Sequence, residues 1–367
     1  MSTVRTPRGI IPIVPLKGRG ATSNRAPRFD AWERETDGEF IDGALGDEPL
    51  PNPRTVVTEA AARTIISRNQ SPDVPFDQSV NPYQGCEHGC IYCYARPTHA
   101  YLGLSPGLDF ETKLQAKTNA AELLARELGK PGYRPAVIAL GANTDPYQPV
   151  ERRLEITRSI LRVLGDFHHP VSITTKSALL ERDIDLLQPM AARGLARVFL
   201  SVATLDHDIA RRMEPRASAP ARRIEAVRAL AAAGIPVGVL VAPVVPALTD
   251  HDLEAVLEAA RDAGADSAAC IILRLPLEVR DLFVDWLEAT YPLRARHVLS
   301  LVRQMRGGKD NDSTFGERMR GTGRFADLIS QRFAIACRRL QLNARSLALD
   351  TSAFAVPRPA GGQLALF

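Results

Sequence analysis

Between residues 134 and 275 the chain alternates between short apolar, β-rich runs and stretches of helical period, and this alternation leaves few folds open. The apolar runs are AVIALG (136–141), VSITT (171–175), ARVFLSVA (196–203), IPVGVLVAP (235–243) and SAACIILRL (267–275). Their unbroken apolar character suits parallel strands covered on both faces. Helical period runs near 150–165, 182–193, 218–233 and 251–263. The punctuation agrees: Gly234 stands where a helix should stop, Thr249 or Asp250 is the predicted N-cap of the next helix, and Gly264 closes it. One more strand ahead of residue 86 gives about six β/α units, which fit an open doubly wound sheet or an incomplete α/β barrel. In both, chemistry belongs at the carboxyl ends of the strands. Beyond residue 290 the pattern is helical, over 294–305 and 324–340, around the polar loop GGKDNDSTFGER (307–318).

A chain of 367 residues can bury one barrel-sized core with appendages. No apolar run approaches the roughly 20 residues that span a bilayer, so no membrane segment is expected. The apolar stretch GIIPIVPL near the N-terminus is cut by Pro12 and Pro15, unlike a signal peptide, and a cytoplasmic location is expected. The net charge of +4 is modest, but it is unevenly spread. Residues 1–29 carry Arg5, Arg8, Lys17, Arg19, Arg25 and Arg28 without an acid, whereas residues 30–48 hold eight acids against Arg34. With Pro and Gly scattered through it, this segment is expected to be a largely disordered arm over residues 1–60. The basic part could touch nucleic acid or fold onto its acidic neighbour. The remaining division is a barrel over 61–290, a helical extension over 291–350 and a flexible tail over 351–367.

Three of the five cysteines, Cys86, Cys90 and Cys93, fall within eight residues in the stretch NPYQGCEHGCIYCYARPTHAYLG. One loop thus offers three soft thiolates without an obvious fourth ligand. Structural zinc wants four closed ligands, and His88 or His99 could complete such a site. On a four-iron, four-sulfur cluster the same three cysteines leave one iron open to a substrate or cofactor.

The Cys-x3-Cys-x2-Cys spacing, with aromatic Tyr92 before the third cysteine, resembles that of radical SAM enzymes. Longer stretches, SPDVPFDQSVNPYQGCEHGCIYCYARPTHAYLG, GANTDPYQPVE, TTKSALLERDIDLL, PVGVLVAPVVPALTD and LRLP, are similar to the branch related to spore photoproduct lyase, often described as photolyase-like repair proteins. The resemblance implies a partial (β/α)6 radical SAM barrel. It also implies a 4Fe-4S cluster on Cys86, Cys90 and Cys93, with S-adenosylmethionine chelated at the open iron. Reductive cleavage of that cofactor to a 5′-deoxyadenosyl radical would need an electron donor such as flavodoxin or ferredoxin. DNA lesions are the favoured substrate. The same chemistry on RNA or a protein side chain stays open, as does a non-catalytic metal-binding module recruited to the replication machinery.

The resemblance also places residues. Lys176, directly after VSITT, and Ser201, on the next strand, match the lysine and serine that contact the S-adenosylmethionine carboxylate. Tyr92 is expected near the adenine. Asn143, Thr144 and Asp145 stand where many relatives carry a Gly-Gly-Glu motif for the methionine ammonium, although they also suit an Asx-stabilised turn. Lys176 could instead pair with Asp145 or Glu181. Arg96 and His99 either orient substrate or cap a local helix. Cys270 shares a strand face with Ile272 and Arg274, and the charge on Arg274 suggests that this face looks into the barrel. Cys270 is therefore a candidate hydrogen-atom donor, against the simpler reading of a buried small side chain. It would substitute for the cysteine that follows the second strand in spore photoproduct lyase, since GANTDPYQPVE has none. Finally, Gln363, Leu364, Leu366 and Phe367 end the chain in a form similar to the motif that docks on the bacterial sliding clamp.

Overall fold

The computed structural model describes residues 3–6, 9–12, 16–30, 53–345 and 348–357. Among these, β1 (Thr3–Thr6) and β2 (Gly9–Pro12) pair antiparallel. Strand β3 (Val56–Glu59) begins the body of the fold, followed by β4 (Ile66–Arg68), β5 (Gln78–Val80), β6 (Tyr83–Gln84) and β7 (Lys113–Ala116). Strands β3, β7 and β6 form a small sheet of their own, and the large sheet joins β4 and β5 to β8 (Ile138–Leu140), β9 (Val171–Thr175), β10 (Ala196–Ser201), β11 (Val237–Val244) and β12 (Ser267–Ile272). Its order is β12-β11-β10-β9-β8-β5-β4. Within this sheet every neighbouring pair among β5, β8, β9, β10, β11 and β12 is parallel, and only β4 runs antiparallel, at the edge.

The strands lie in the order in which they occur, with no reversal. A doubly wound sheet reverses its order at a switch point, so this order selects the singly wound, partial-barrel alternative. The fold is an α/β partial barrel with six parallel strands, as expected, and its first strand, β5, leads into the cysteine loop. Helices Ile156–Asp166, Ile184–Ala192, Pro220–Ala232 and Leu253–Asp262 fill the predicted crossovers. The expected cap of the last one is displaced. Thr249 accepts from the Val245 N–H through Oγ1, and the helix starts after Asp252, whose carboxylate is taken by Thr204 and the Leu205 N–H.

Side-chain parity sorts the two faces of the sheet. Val171, Ile173, Val198, Leu200, Val237, Val239 and Val241 are buried in one core with the crossover helices. Ser172, Thr174, Phe199, Leu240 and Ile271 project from the opposite face and are only half-buried, so the inner wall of the barrel stays open. A second core joins the cysteine loop to the C-terminal helices: Ile91 and Tyr92 pack with Leu282, Phe283 and Trp286 of Glu278–Thr290 and with Val298 and Val302 of Pro292–Gln304.

The N-terminal segment departs from the expected loose arm. Residues 16–30 pack into the body, with Ala21 fully buried in the second core. Gly20 sits so close to the cysteine loop that a Cβ there would lie 1.8 Å from the Gly89 carbonyl oxygen. Three of the arm's arginines are used internally. Arg19 donates to the carbonyls of Glu111 (3.0 Å) and Pro53 (2.6 Å), Arg25 pairs with Asp285 at 2.7 Å, and Arg28 pairs with Glu278 at 3.0 Å. Composition missed this because each of these charges has its partner more than 30 residues away in sequence.

Candidate cluster and cofactor site

The site is built from the loops that leave the carboxyl ends of β5, β8, β9 and β10. After β5 the chain folds into an irregular loop that carries Cys86, Cys90 and Cys93, the first two buried and the third half-buried. What shapes this loop is Arg96, which has no exposed surface. Its Nε donates to the Cys90 carbonyl (2.9 Å) and its Nη2 to the Gly89 carbonyl (3.0 Å) and the Glu111 carboxylate (2.5 Å). Nη1 reaches the carbonyls of Pro106 and Gly107 at 3.1 and 3.0 Å. Arg96 neither caps a helix nor faces substrate; it is the strut of the cysteine loop. Glu111, equally buried, extends the strut by accepting from the N–H groups of Gly20 (3.0 Å) and Ala21 (2.8 Å).

The loop after β8 grips the same structure from the barrel side. Gln148 accepts from the Glu87 N–H at 2.9 Å and donates to the Gly85 carbonyl at 3.2 Å. Gly141 adopts a φ of +87°, and a Cβ there would meet the Thr174 carbonyl at 2.1 Å, so only glycine suits that position. Asp145 locks the loop to β9: it accepts from the Thr175 hydroxyl (2.6 Å), the Lys176 N–H (2.8 Å) and the Tyr147 N–H (2.9 Å), and His88 lies 3.3 Å away. Burial opposes its charge, but His88 and these donors outweigh burial and bring its pKa down to about 2. A carboxylate held below its ordinary value stabilises the fold in full above about pH 4, and that contribution is lost as pH falls toward 2. Asp145→Asn is therefore expected to cost about 2 kcal/mol at neutral pH. Urea unfolding midpoints across pH 2–7 should show a flatter acid limb for the variant.

The residues expected to bind cofactor thus divide. Thr144 donates its hydroxyl to the Tyr83 carbonyl (2.8 Å) and is buried, so Thr144 and Asp145 both serve to hold the loop. Asn143 is half-buried, and among the described residues its side chain has no hydrogen-bond partner. Ser201 ends β10 and donates to the Ala242 carbonyl at 3.0 Å. Lys176 stands at the end of β9 with its ammonium 5.8 Å above the Tyr92 ring centroid. The alternative partners are otherwise engaged: Asp145 holds the Lys176 backbone N–H, and Glu181 pairs with Arg222 at 3.1 Å. Burial opposes the lysine's charge, yet Cys90 and Glu214 outweigh it and hold its pKa above the ordinary lysine value.

Two residues that sequence reasoning missed complete the floor of the site. Glu214, just past helix His207–Met213, accepts from the Tyr92 hydroxyl and from Arg223. Arg223 is itself buried, and it donates also to the carbonyls of Ser201 (2.8 Å) and Ser218 (2.7 Å). One buried network therefore ties the cysteine loop to the end of β10. A signal existed in the sequence: Arg223 lies on the stripe Arg223, Ala226, Val227, Leu230, and a cation in a core-facing stripe needs a buried carboxylate.

Cys270 corrects the expectation made for it. In register with Val241, it lies on the helix side of β12 and packs against the outer core, near Cys337 of helix Arg324–Arg339. Burial pushes its thiol up to about 12. Its face is not the barrel interior. Arg274 misled because β12 ends at Ile272; beyond it the chain turns, and Arg274 reaches Tyr94, 6.0 Å from the ring centroid. The zinc alternative finds no support in the histidines. His88 pairs with Asp145, and His99 is held by the Lys113 carbonyl at 3.0 Å. Among the described residues no three His, Cys, Asp and Glu side chains gather around a single-ion site. A cuboidal iron–sulfur cluster does not ask for that convergence, since each cysteine binds a different iron. Three soft sulfur donors beside a cation that has no carboxylate within 4 Å among the described residues fit the anionic cluster and a carboxylate-bearing cofactor. Gln363, Leu364, Leu366 and Phe367 lie outside the described residues.

Comparison with known proteins agrees with this geometry. Residues 80–260 match the radical SAM superfamily model. An uncharacterized protein of Mycobacterium tuberculosis is 40% identical over 221 residues, 60% of this chain and 65% of that relative's length. The chain thus spans less than two thirds of this relative. An uncharacterized protein of Methanocaldococcus jannaschii is 26% identical over 199 residues, 54% of this chain and 71% of the relative. Among solved structures, spore photoproduct lyase complexed with dinucleoside spore photoproduct superposes with a TM-score of 0.55 at 16% identity, covering 77% of this chain and 79% of that one. Another structure of spore photoproduct lyase holds bound AdoMet.

Proposed function

We propose, from the premise that this chain carries a radical SAM domain, that it cleaves S-adenosylmethionine reductively and applies the resulting radical to nucleic-acid lesions. A 4Fe-4S cluster with S-adenosylmethionine bound supplies, on reduction, a 5′-deoxyadenosyl radical that abstracts hydrogen. Cys86, Cys90 and Cys93 would hold the cluster. The observation that carries the reading is Lys176: a cation at the end of a barrel strand, beside Cys90, with no carboxylate of the described residues within 4 Å. A cation so placed is suited to the cofactor carboxylate, with Ser201 alongside once its hydroxyl turns from Ala242. The Tyr92 ring stands under the same ammonium, its hydroxyl fixed by Glu214, and so offers an apolar wall at the site rather than a mobile one. The half-buried wall of Ser172, Thr174, Phe199, Leu240 and Ile271 leaves room in the barrel for substrate.

The choice of nucleic acid rests on the likeness in fold to spore photoproduct lyase. Its test is hydrogen transfer. Ultraviolet-damaged DNA deuterated at the thymine methyl and ring positions, incubated with reduced protein and S-adenosylmethionine, should yield deuterated 5′-deoxyadenosine. Cleavage without deuterium from damaged DNA, but with deuterium from labelled RNA or protein, would move the substrate class. Lys176→Gln is expected to weaken S-adenosylmethionine binding by about 10- to 100-fold, since a hydrogen bond to a charged group is worth about 1.5–3 kcal/mol. Equilibrium dialysis of the iron-loaded protein reads that loss, and Lys176→Arg should restore part of it.

A further inference from the structure

Against the cysteine loop lies an open cavity of about 440 Å³ lined by Lys17, Arg19, Arg54, Thr55, Glu87 and Arg216. Four cations face one carboxylate. Glu87 accepts from the Thr55 hydroxyl at 2.8 Å and forms an ion pair with Arg216 at 3.1 Å. Lys17 and Arg54 are exposed and have no carboxylate within 4 Å among the described residues. The cavity is also fastened to the proposed cluster ligands. Glu87 directly follows Cys86, the Arg216 N–H donates to the His88 carbonyl at 3.2 Å, and Arg19 holds the carbonyl of Glu111, the partner of the Arg96 strut.

We propose that this basic cavity is the docking site of an acidic one-electron carrier protein that reduces the cluster. The inference rests on the function proposed above, which requires an electron from outside the chain. In the step, the carrier's reduced centre loses one electron and the cluster gains it, with no proton or group transferred. A positive rim steers an acidic partner and sets its encounter rate. None of the lining residues belongs to a barrel strand, so a carrier seated here leaves the barrel wall, Lys176 and Tyr92 free for cofactor and substrate.

The test uses the iron-loaded full chain and its double variant Lys17→Glu/Arg54→Glu, both changes lying on exposed side chains outside the cofactor site. Cluster bleaching is followed by stopped flow after mixing with reduced flavodoxin, and separately with dithionite, at several salt concentrations. The expected result is a flavodoxin rate at least tenfold lower in the variant at low salt, with a weaker salt dependence than in the parent, while dithionite reduces both equally. An unchanged flavodoxin rate overturns the proposal. Loss of affinity for a single-stranded DNA oligonucleotide with an unchanged flavodoxin rate also overturns it, and assigns the cavity to phosphate instead. A parent protein with no cluster that dithionite can bleach contradicts the proposed function itself, a failure distinct from the other two.

Discussion

Arg96→Ala should yield a protein that no longer retains iron and is destabilised by several kcal/mol. The guanidinium carries five N–H donors, and the structure uses all of them: four on the carbonyls of Gly89, Cys90, Pro106 and Gly107, one on Glu111. Truncation leaves the Glu111 carboxylate fully buried without its cation, and breaking a buried pair from one side costs about 3–5 kcal/mol. The freed carbonyls belong to the segment that sets the spacing of the cysteines, so the loss falls on cluster retention as well as on the fold. Arg96→Lys keeps the charge but presents three donors from one point instead of a planar fork. It is expected to fold, with a lowered urea midpoint and reduced iron after reconstitution. Iron per chain separates the two variants, and full iron content in Arg96→Ala would show that the strut is not what shapes the loop.

The second large effect is expected at Glu214. Removing its carboxylate in Glu214→Ala strands Arg223, which is 1% exposed, as an unpaired buried cation, again at about 3–5 kcal/mol. Burial opposes the charge on Glu214, but Arg223 and Lys176 outweigh it, so the group is a carboxylate at neutral pH. Its loss also takes from Lys176 one of the three neighbours, with Cys90 and Asp145, that hold its pKa above the ordinary lysine value. Glu214→Gln removes the charge while the amide keeps the oxygen for Tyr92 and turns a donor toward Arg223, so part of the stability loss of Glu214→Ala persists, and S-adenosylmethionine cleavage per bound cluster should fall by more than tenfold. Tyr92→Phe, which removes one hydrogen bond to this carboxylate and strands no cation, should cost less, about 1.5–3 kcal/mol. If Glu214→Gln cleaves at the parent rate, the network is scaffolding and nothing more.

These two residues mark where the sequence was legible and where it was not. The apolar runs located β8 to β12 because parallel strands buried on both faces must be apolar throughout. Lys176 could be placed at the barrel mouth because it is a polar residue at the carboxyl end of an apolar run, whereas Ser201 was placed by the family resemblance. Parity failed at Cys270, since counting by twos was carried past the end of β12 to Arg274. Arg96 and Glu111 were opaque because nothing local shows that an arginine three residues after Cys93 will turn back onto the loop. Glu214 and Arg223 are nine residues apart, on a loop and a helix, and only the apolar neighbours of Arg223 hinted at a buried partner. Long-range ion pairs hid the docking of residues 16–30 in the same way.

Anaerobic reconstitution decides whether one loop holds a redox cluster which, with S-adenosylmethionine, drives radical chemistry. The parent chain should take up about four irons and an equal amount of sulfide, and should release 5′-deoxyadenosine from S-adenosylmethionine once dithionite is added. Replacing Cys86, Cys90 and Cys93 together with alanine should abolish both. A colourless parent protein that binds zinc through the same cysteines and leaves S-adenosylmethionine intact would overturn the radical chemistry proposed for this loop.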